Sequence, residues 1–491
     1  MSDAAASHEM TRRTRIWIVV TILSIFGPYL AAGARTEQLV IYGSAGAIVL
    51  IQRTRLVQQL RPALPLVVLL GTYAALVLAT GLVVENHTKW ESGSLVAGTD
   101  NVLLPLAILV VVTYWATLCD AAVVLRTAAW TVAIAMVCNA VIAIVTNYAG
   151  SITPPLLGRF WTSGGAEVVV AELSAANGRF SGVFNQPVEA GVAYSLALLC
   201  VLYLMRGDRD RRLLLLGMLA LVIVGGLLTF SKVFLIGGLF IGLLFALGDR
   251  ANRWWSVTVS FASVVLFSTL SFFGLAGSWG ASYFIGWYRD SIERGDSLVY
   301  TLSAGRFGTH VGTGTLPTMP GGGTDSGGDP SVATMPTEGA GVVIREILDH
   351  HPLLGVGARG LQVSYDTTWI EALIVGGVLG VLLIVAIHAY LVVRWVRLRP
   401  LMDRSAWTFA GAVICLVLGS SFGMPSLTGN RESALLWIFL GTLLVGYAMT
   451  TAAQRSGTDD SNAATAPPSG PGAEPVATPA HYSRPKAADL E

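Results

Sequence analysis

Apolar residues in this chain do not recur on one helical face; they fill whole windows of about the length needed to cross a bilayer. Such windows lie near residues 15–33, 37–52, 62–84, 102–119, 123–146, 189–205, 213–230, 232–248, 255–275, 367–393, 406–422 and 433–450. Runs that are apolar all round predict helices covered on every side by protein or lipid. The pattern therefore predicts an all-α polytopic membrane protein with about twelve transmembrane helices, the second of them short.

Two polar stretches between the runs are too long to be simple connectors. Residues 147–188 hold Arg159, Glu167, Glu172 and Arg179. Residues 276–366 form a larger loop between helices nine and ten, with an aromatic and charged flank around Trp287, Tyr288 and Arg289 and then Arg306. Its centre, residues 308–341, contains ten glycines together with Pro317, Pro320, Pro330 and Pro336, a composition that buries too little apolar surface to fold alone and predicts a flexible insertion. The expected organisation is helices one to nine within residues 1–275, the large loop over 276–366, helices ten to twelve within 367–455, and a disordered Ala/Pro/Ser/Gly tail over 456–491. No period of about 20 to 50 residues runs along the chain.

The stretch 351–380, HPLLGVGARGLQVSYDTTWIEALIVGGVLG, changes character midway. A Gly-rich turn is followed from Thr367 by an apolar run, and Asp366 sits at the junction. An anionic residue there has two readings, a helix cap favoured by exposed N–H groups and the helix dipole, or a base at the membrane edge. Glu371 lies five residues further on, inside the run, where an unpaired charge is costly. It either binds substrate or pairs with a structural arginine such as Arg359. Gly355, Gly357 and Gly360 are read as turn formers.

Charge distribution orients the helices. Arg12, Arg13, Arg15, Arg53, Arg55, Arg61, Arg126, Arg206, Arg209, Arg211, Arg212, Arg250, Arg253, Arg394, Arg397, Arg399, Arg404 and Arg455 fall in segments that share one side, whereas the short loops of the other side hold only Arg35, Lys89, Lys232 and Arg431. By the positive-inside rule, both termini are cytoplasmic and the two long loops face outward from a cytoplasmic (inner) membrane. Composition agrees: 53% of residues are hydrophobic and 12% charged, about half the charge fraction of soluble chains. The net charge of +1 gives no general pull towards nucleic acid, and no nucleic-acid partner is expected.

Soluble-enzyme signatures are missing. There is no Walker loop, no GxGxxG between strand and helix, no HExxH and no CxxC. Cys119, Cys138, Cys200 and Cys415 all fall in or beside apolar runs and read as core residues. The adjacent His350 and His351 lack an acid in ligand register and read as loop residues, so neither a metal nor a cofactor is expected.

Four segments, in order, resemble the O-antigen ligase and Wzy-type polysaccharide polymerase superfamily of bacterial membrane glycosyltransferases. They are NGRFSGVFNQPVEAG (177–191), LLTFSKVFLIG (227–237), SAGR (303–306), and HPLLGVGARG with the following GGVLG. The resemblance implies a GT-C-like helical layout and a reaction at the outer face. There a glycan on a polyprenyl-pyrophosphate donor is joined to an acceptor glycan or lipid-linked acceptor, with no cofactor. It also implies cations at the diphosphate, for which Arg179, Arg306 and Lys232 are the candidates. The alternatives are a head-group contact for Arg179 and a snorkelling side chain for Lys232. Counting back from Gly377, Asp366 stands where ligases of the family carry His, with Ile370 as the following hydrophobic residue. The spacing is kept but the base becomes a carboxylate, which leaves polymerase and ligase both open. Asp366, Arg179 and Arg306 are therefore the catalytic candidates; Lys232, Arg359, Glu371 and Arg345 are the substrate-binding ones, with Glu189 secondary. A secondary transporter or flippase for lipid-linked sugars, and a non-catalytic envelope scaffold, share the same composition.

Overall fold

In a computed structural model, residues 3–30, 34–149, 153–161, 170–176, 178–248, 253–272, 293, 340–362, 367–428 and 431–449 are described. They form helices joined by short turns, and their only β pairings are two isolated bridges, Tyr29 with Arg35 and Ser92 with Leu361. Each predicted apolar run coincides with a helix. The first departs most: helix Asp3–Ile25 begins before its run and stops short, because Gly27-Pro28 follows and cannot continue it. Among the described residues, six helices are long and apolar enough to cross a membrane: Leu56–Val83, Leu95–Leu118, Ala121–Tyr148, Pro187–Gly207, Thr368–Arg397 and Arg431–Met449. Arg212–Leu228, Val233–Leu247 and Arg404–Ser420 are apolar but shorter.

Local signals set the ends. Pro187 opens its helix where a missing N–H costs nothing, Ser94 accepts the amide of Ala97, and Asp403 accepts those of Ser405 and Ala406. Helices Pro187–Gly207 and Arg431–Met449 form the centre of the bundle. Around them the other helices present apolar side chains outward, such as Phe240, Leu243 and Leu244.

Both long polar stretches contain helices that their composition did not announce. Thr153–Trp161 and Val170–Ala176 lie within 147–188, and Ala340–His350 lies within 276–366. Most of the Gly-rich insertion, Arg306, Asp366 and the tail fall outside the described residues.

Candidate functional site

The turn HPLLGVGARG and the helix after it are interlocked. Within helix Thr368–Arg397, Gly377 adopts φ +58°, which breaks the hydrogen-bond ladder and frees backbone groups on both sides. The turn takes them up. The Val356 N–H donates to the Ile374 carbonyl (2.7 Å), while the N–H groups of Val378 and Leu379 donate to the carbonyls of Pro352 (2.9 Å) and Leu353 (3.3 Å). Non-helical backbone is tolerated within a membrane protein only where other protein groups satisfy it in this way. The turn then wedges between two helix ends: a Cβ on Gly81 would lie 2.7 Å from the Ala358 nitrogen, and one on Gly98 would overlap the Ala358 carbonyl. Only glycine permits that approach from both sides.

The start of helix Thr368–Arg397 is capped by Thr367, whose hydroxyl accepts the Ile370 amide at 3.0 Å. The cap position is thus filled one residue after Asp366. Residues 421–428 fold across this helix start, with the Thr368 N–H donating to the Ser421 carbonyl (3.1 Å) and the Thr368 hydroxyl to the Met424 carbonyl (2.9 Å). One turn deeper, Glu371 is only 5% exposed and accepts the hydroxyl of Thr428. Glu371 and Thr428 line a cavity of about 140 Å³ together with Tyr73, Ser94, Asn101 and Arg359. Arg359 is exposed. Two of the predicted binding residues therefore meet in one cavity. Arg345 does not join them; it is exposed on helix Ala340–His350.

Two of the other predicted cations, Arg179 and Lys232, lie at a second place. The segment after Gly178 is clamped from several helices. Asn139 accepts the Val183 amide (2.8 Å) and donates to the Ser181 carbonyl (3.2 Å) and the Tyr194 hydroxyl (3.0 Å), while the Trp161 indole donates to the Gly182 carbonyl (2.8 Å). This holds half-buried Arg179 against the turn that follows helix Arg212–Leu228. The Phe180 N–H donates to the Leu228 carbonyl (2.9 Å), and Arg179 Nε to that of Thr229 (3.2 Å). Phe230 in this turn has φ +44°, a strained value for a bulky residue. Lys232, also half-buried, follows it and opens the π-helical stretch Val233–Gly238, a distortion that is frequent at functional sites. Segments about fifty residues apart in sequence thus bring Arg179 and Lys232 to one turn.

Sequence reasoning missed a buried ionic seam beside both places. Arg35 bonds Asp100 (2.8 Å) and Glu37 (3.1 Å), and Asp100 also accepts from Gln38 (2.6 Å) and Tyr42 (2.8 Å). Arg431, 2% exposed, donates to the carbonyls of Val183 (2.9 Å) and Gly27 (2.8 Å). Glu189, buried in the first turn of its helix, lies within electrostatic reach of Arg431 and Arg35. A signal was present: Glu37, Asp100, Glu189 and Arg431 each sit at the edge of an apolar run, where charge is expensive unless paired. Nothing in the spacing said which would pair with which.

His351 is held by contacts of its own. Its Nε2 accepts the His87 amide at 3.1 Å and its ring stacks on that of His87 at 5.6 Å. Burial, and then the neighbouring His87 and His350, lower its pKa below the ordinary imidazole value.

No protein-family model matches this chain, and no curated protein shows detectable similarity to it.

Proposed function

We propose that the chain is a twelve-helix membrane glycosyltransferase of the O-antigen ligase and polymerase type, with both termini cytoplasmic. It transfers a glycan from a polyprenyl-pyrophosphate donor to an acceptor glycan or lipid-linked acceptor at the outer face. The observation that carries this reading is the joining of Arg179 and Lys232 at one turn. Two cations placed at one helix end, Arg179 through its bond to the Thr229 carbonyl and Lys232 at the start of a π-helical stretch, favour a bound anion with several charges. In the proposed reaction an acceptor hydroxyl attacks the anomeric carbon, the bond from that carbon to the diphosphate oxygen breaks, and the proton passes to a base. Arg179 and Lys232, joined by Arg306 from the large loop, stabilise the charge that develops on the leaving diphosphate. Asp366 is the proposed base, and its cap role is not needed because Thr367 fills that position.

The test is turnover of a polyprenyl-pyrophosphate glycan by purified protein in proteoliposomes. Replacing Arg179 with Ala is expected to lower turnover by about 100- to 1,000-fold, the cost typical of losing one preorganised charge-stabilising donor. Asp366→Asn is expected to lower it by about the same factor. Full turnover in both variants would remove the site assignment.

A second reading, a transporter or flippase for lipid-linked sugars, draws on the break at Gly377, since discontinuous helices line the substrate sites of many secondary transporters. Formation of a glycosidic product without an ion gradient separates the two.

A further inference from the structure

The cavity around Glu371 has features that donor binding does not use. Its lining includes the Glu371 carboxyl group, which is almost wholly buried and accepts the Thr428 hydroxyl. The carboxyl group keeps hydrogen-bonding capacity beyond that one bond whether or not it carries a proton, and burial makes further partners valuable. The same lining includes Asn101 and Ser94, which are polar but uncharged, and the aromatic and aliphatic side chains of Tyr73, Val77 and Val375. A ligand that suits this lining has hydroxyls along one edge and C–H groups on its face. That is the chemistry of a sugar ring. The volume of about 140 Å³ suits one ring and is small for a prenyl chain. The walls come from helices and from the interlocked turn, so the shape is set before a ligand arrives.

The cavity also has a defined relation to the two cations. Thr428 lies three residues before Arg431, whose guanidinium holds the Val183 carbonyl four residues beyond Arg179. Asn101 follows Asp100, which is tied to Arg35. Each place is thus joined along the chain to a residue of the buried seam. We infer that the Glu371–Thr428 cavity binds one sugar ring of the acceptor, with Glu371 accepting from its hydroxyls and Arg359 at the rim; the word acceptor rests on the glycosyltransferase reading, the sugar ring does not.

The experiment has two arms on protein in lipid nanodiscs. In the first, no donor is present, and saturation-transfer NMR reads binding of methyl glycosides of common hexoses, pentoses and N-acetylhexosamines. At least one is expected to bind. Ala97→Phe, which fills the cavity from an exposed position on its wall, should abolish that binding, and Glu371→Gln should weaken it at least tenfold. Leu243→Ala on the outward face should leave it unchanged. In the second arm, transfer kinetics should show the KM for acceptor rising at least tenfold in Glu371→Gln while the KM for donor stays within twofold. Glycoside binding lost in the cavity variants, with no transfer from any donor, would retain the sugar site and discard the transferase. Transfer with an unchanged acceptor KM in both variants would discard the sugar site and retain the transferase. If no glycoside binds, or all bind Ala97→Phe as well as wild type, the inference is overturned. It is overturned too if methylammonium or sodium alone stabilises the protein through Glu371, which would make the cavity a cation site.

Discussion

Helices Pro187–Gly207 and Leu56–Val83 are both apolar enough to cross a membrane, yet they live in different surroundings. The most apolar window of the first is 89% buried by protein and that of the second only 39%, although the second is the more hydropathic, 2.3 against 1.9. Helix Arg431–Met449 repeats the contrast, being 89% buried with a hydropathy of 1.6. The central helices are thus the less apolar ones. Lipid offers no partner to a polar group, so Glu189, Arg431 and Asn139 need protein on all sides, and the helices that carry or contact them are drawn inward. Hydropathy reports that a helix is buried in something; the polar exceptions report in what.

That contrast sets an order of consequences. Arg431→Ala should have the largest effect, leaving the Val183 and Gly27 carbonyls and the nearby Glu189 uncompensated, at about 3–5 kcal/mol. A drop of that size would appear as a large fall in the midpoint of unfolding in micelles, and wild-type stability would show that the seam does not hold the centre together. Next comes Gly377→Ala. A side chain there meets the Leu353 backbone in a left-handed conformation, costing about 2–3 kcal/mol and loosening the turn against its helix. Hydrogen exchange at Val356 and Val378 would report the loosening.

Truncation of fully buried Leu199 to Ala on the central helix should cost about 2 kcal/mol through the cavity it leaves. Acid should cost less than that. The native pKa of His351 is lowered, so as pH falls below about 6.5 the unfolded chain takes up a proton that the native imidazole refuses, and stability present above that pH is lost. Protonation would also set Nε2 against the His87 amide that it now accepts. The loss should vanish in His351→Gln, and an unchanged acid profile in that variant would assign the effect elsewhere. Smallest of all, Leu243→Ala on the outward face should stay within about 0.5 kcal/mol of wild type. Equal losses from Leu199→Ala and Leu243→Ala would erase the distinction between centre and periphery.

Part of the candidate site was legible in advance. Arg179, Lys232, Arg359 and Glu371 stood out because charge at the edge of an apolar run is rare, and the Gly-rich turn before Thr367 announced a change of chain direction. The grouping of these residues was not legible. Arg359 and Glu371 join through a turn folded back onto a broken helix, and Arg345, on a nearby helix, points to solvent. Arg35 and Arg431 looked like loop charges, and both are buried. Asp366 was read as either the cap of helix Thr368–Arg397 or a base, and a hydroxyl one residue beyond it takes the cap role.

Sequence alone determined the helical class, the location of each apolar helix and the sparse positions where charge approaches the membrane. These follow from composition within a single window, because a backbone leaving water must satisfy its own hydrogen bonds whatever its neighbours are. Tertiary structure decided which helices lie at the centre, which charges neutralise one another, and that Glu371 and Arg359 line one cavity. Those outcomes depend on contacts between residues tens to hundreds of positions apart, as between Arg431 and Gly27 or Glu371 and Thr428, and no periodicity encodes them.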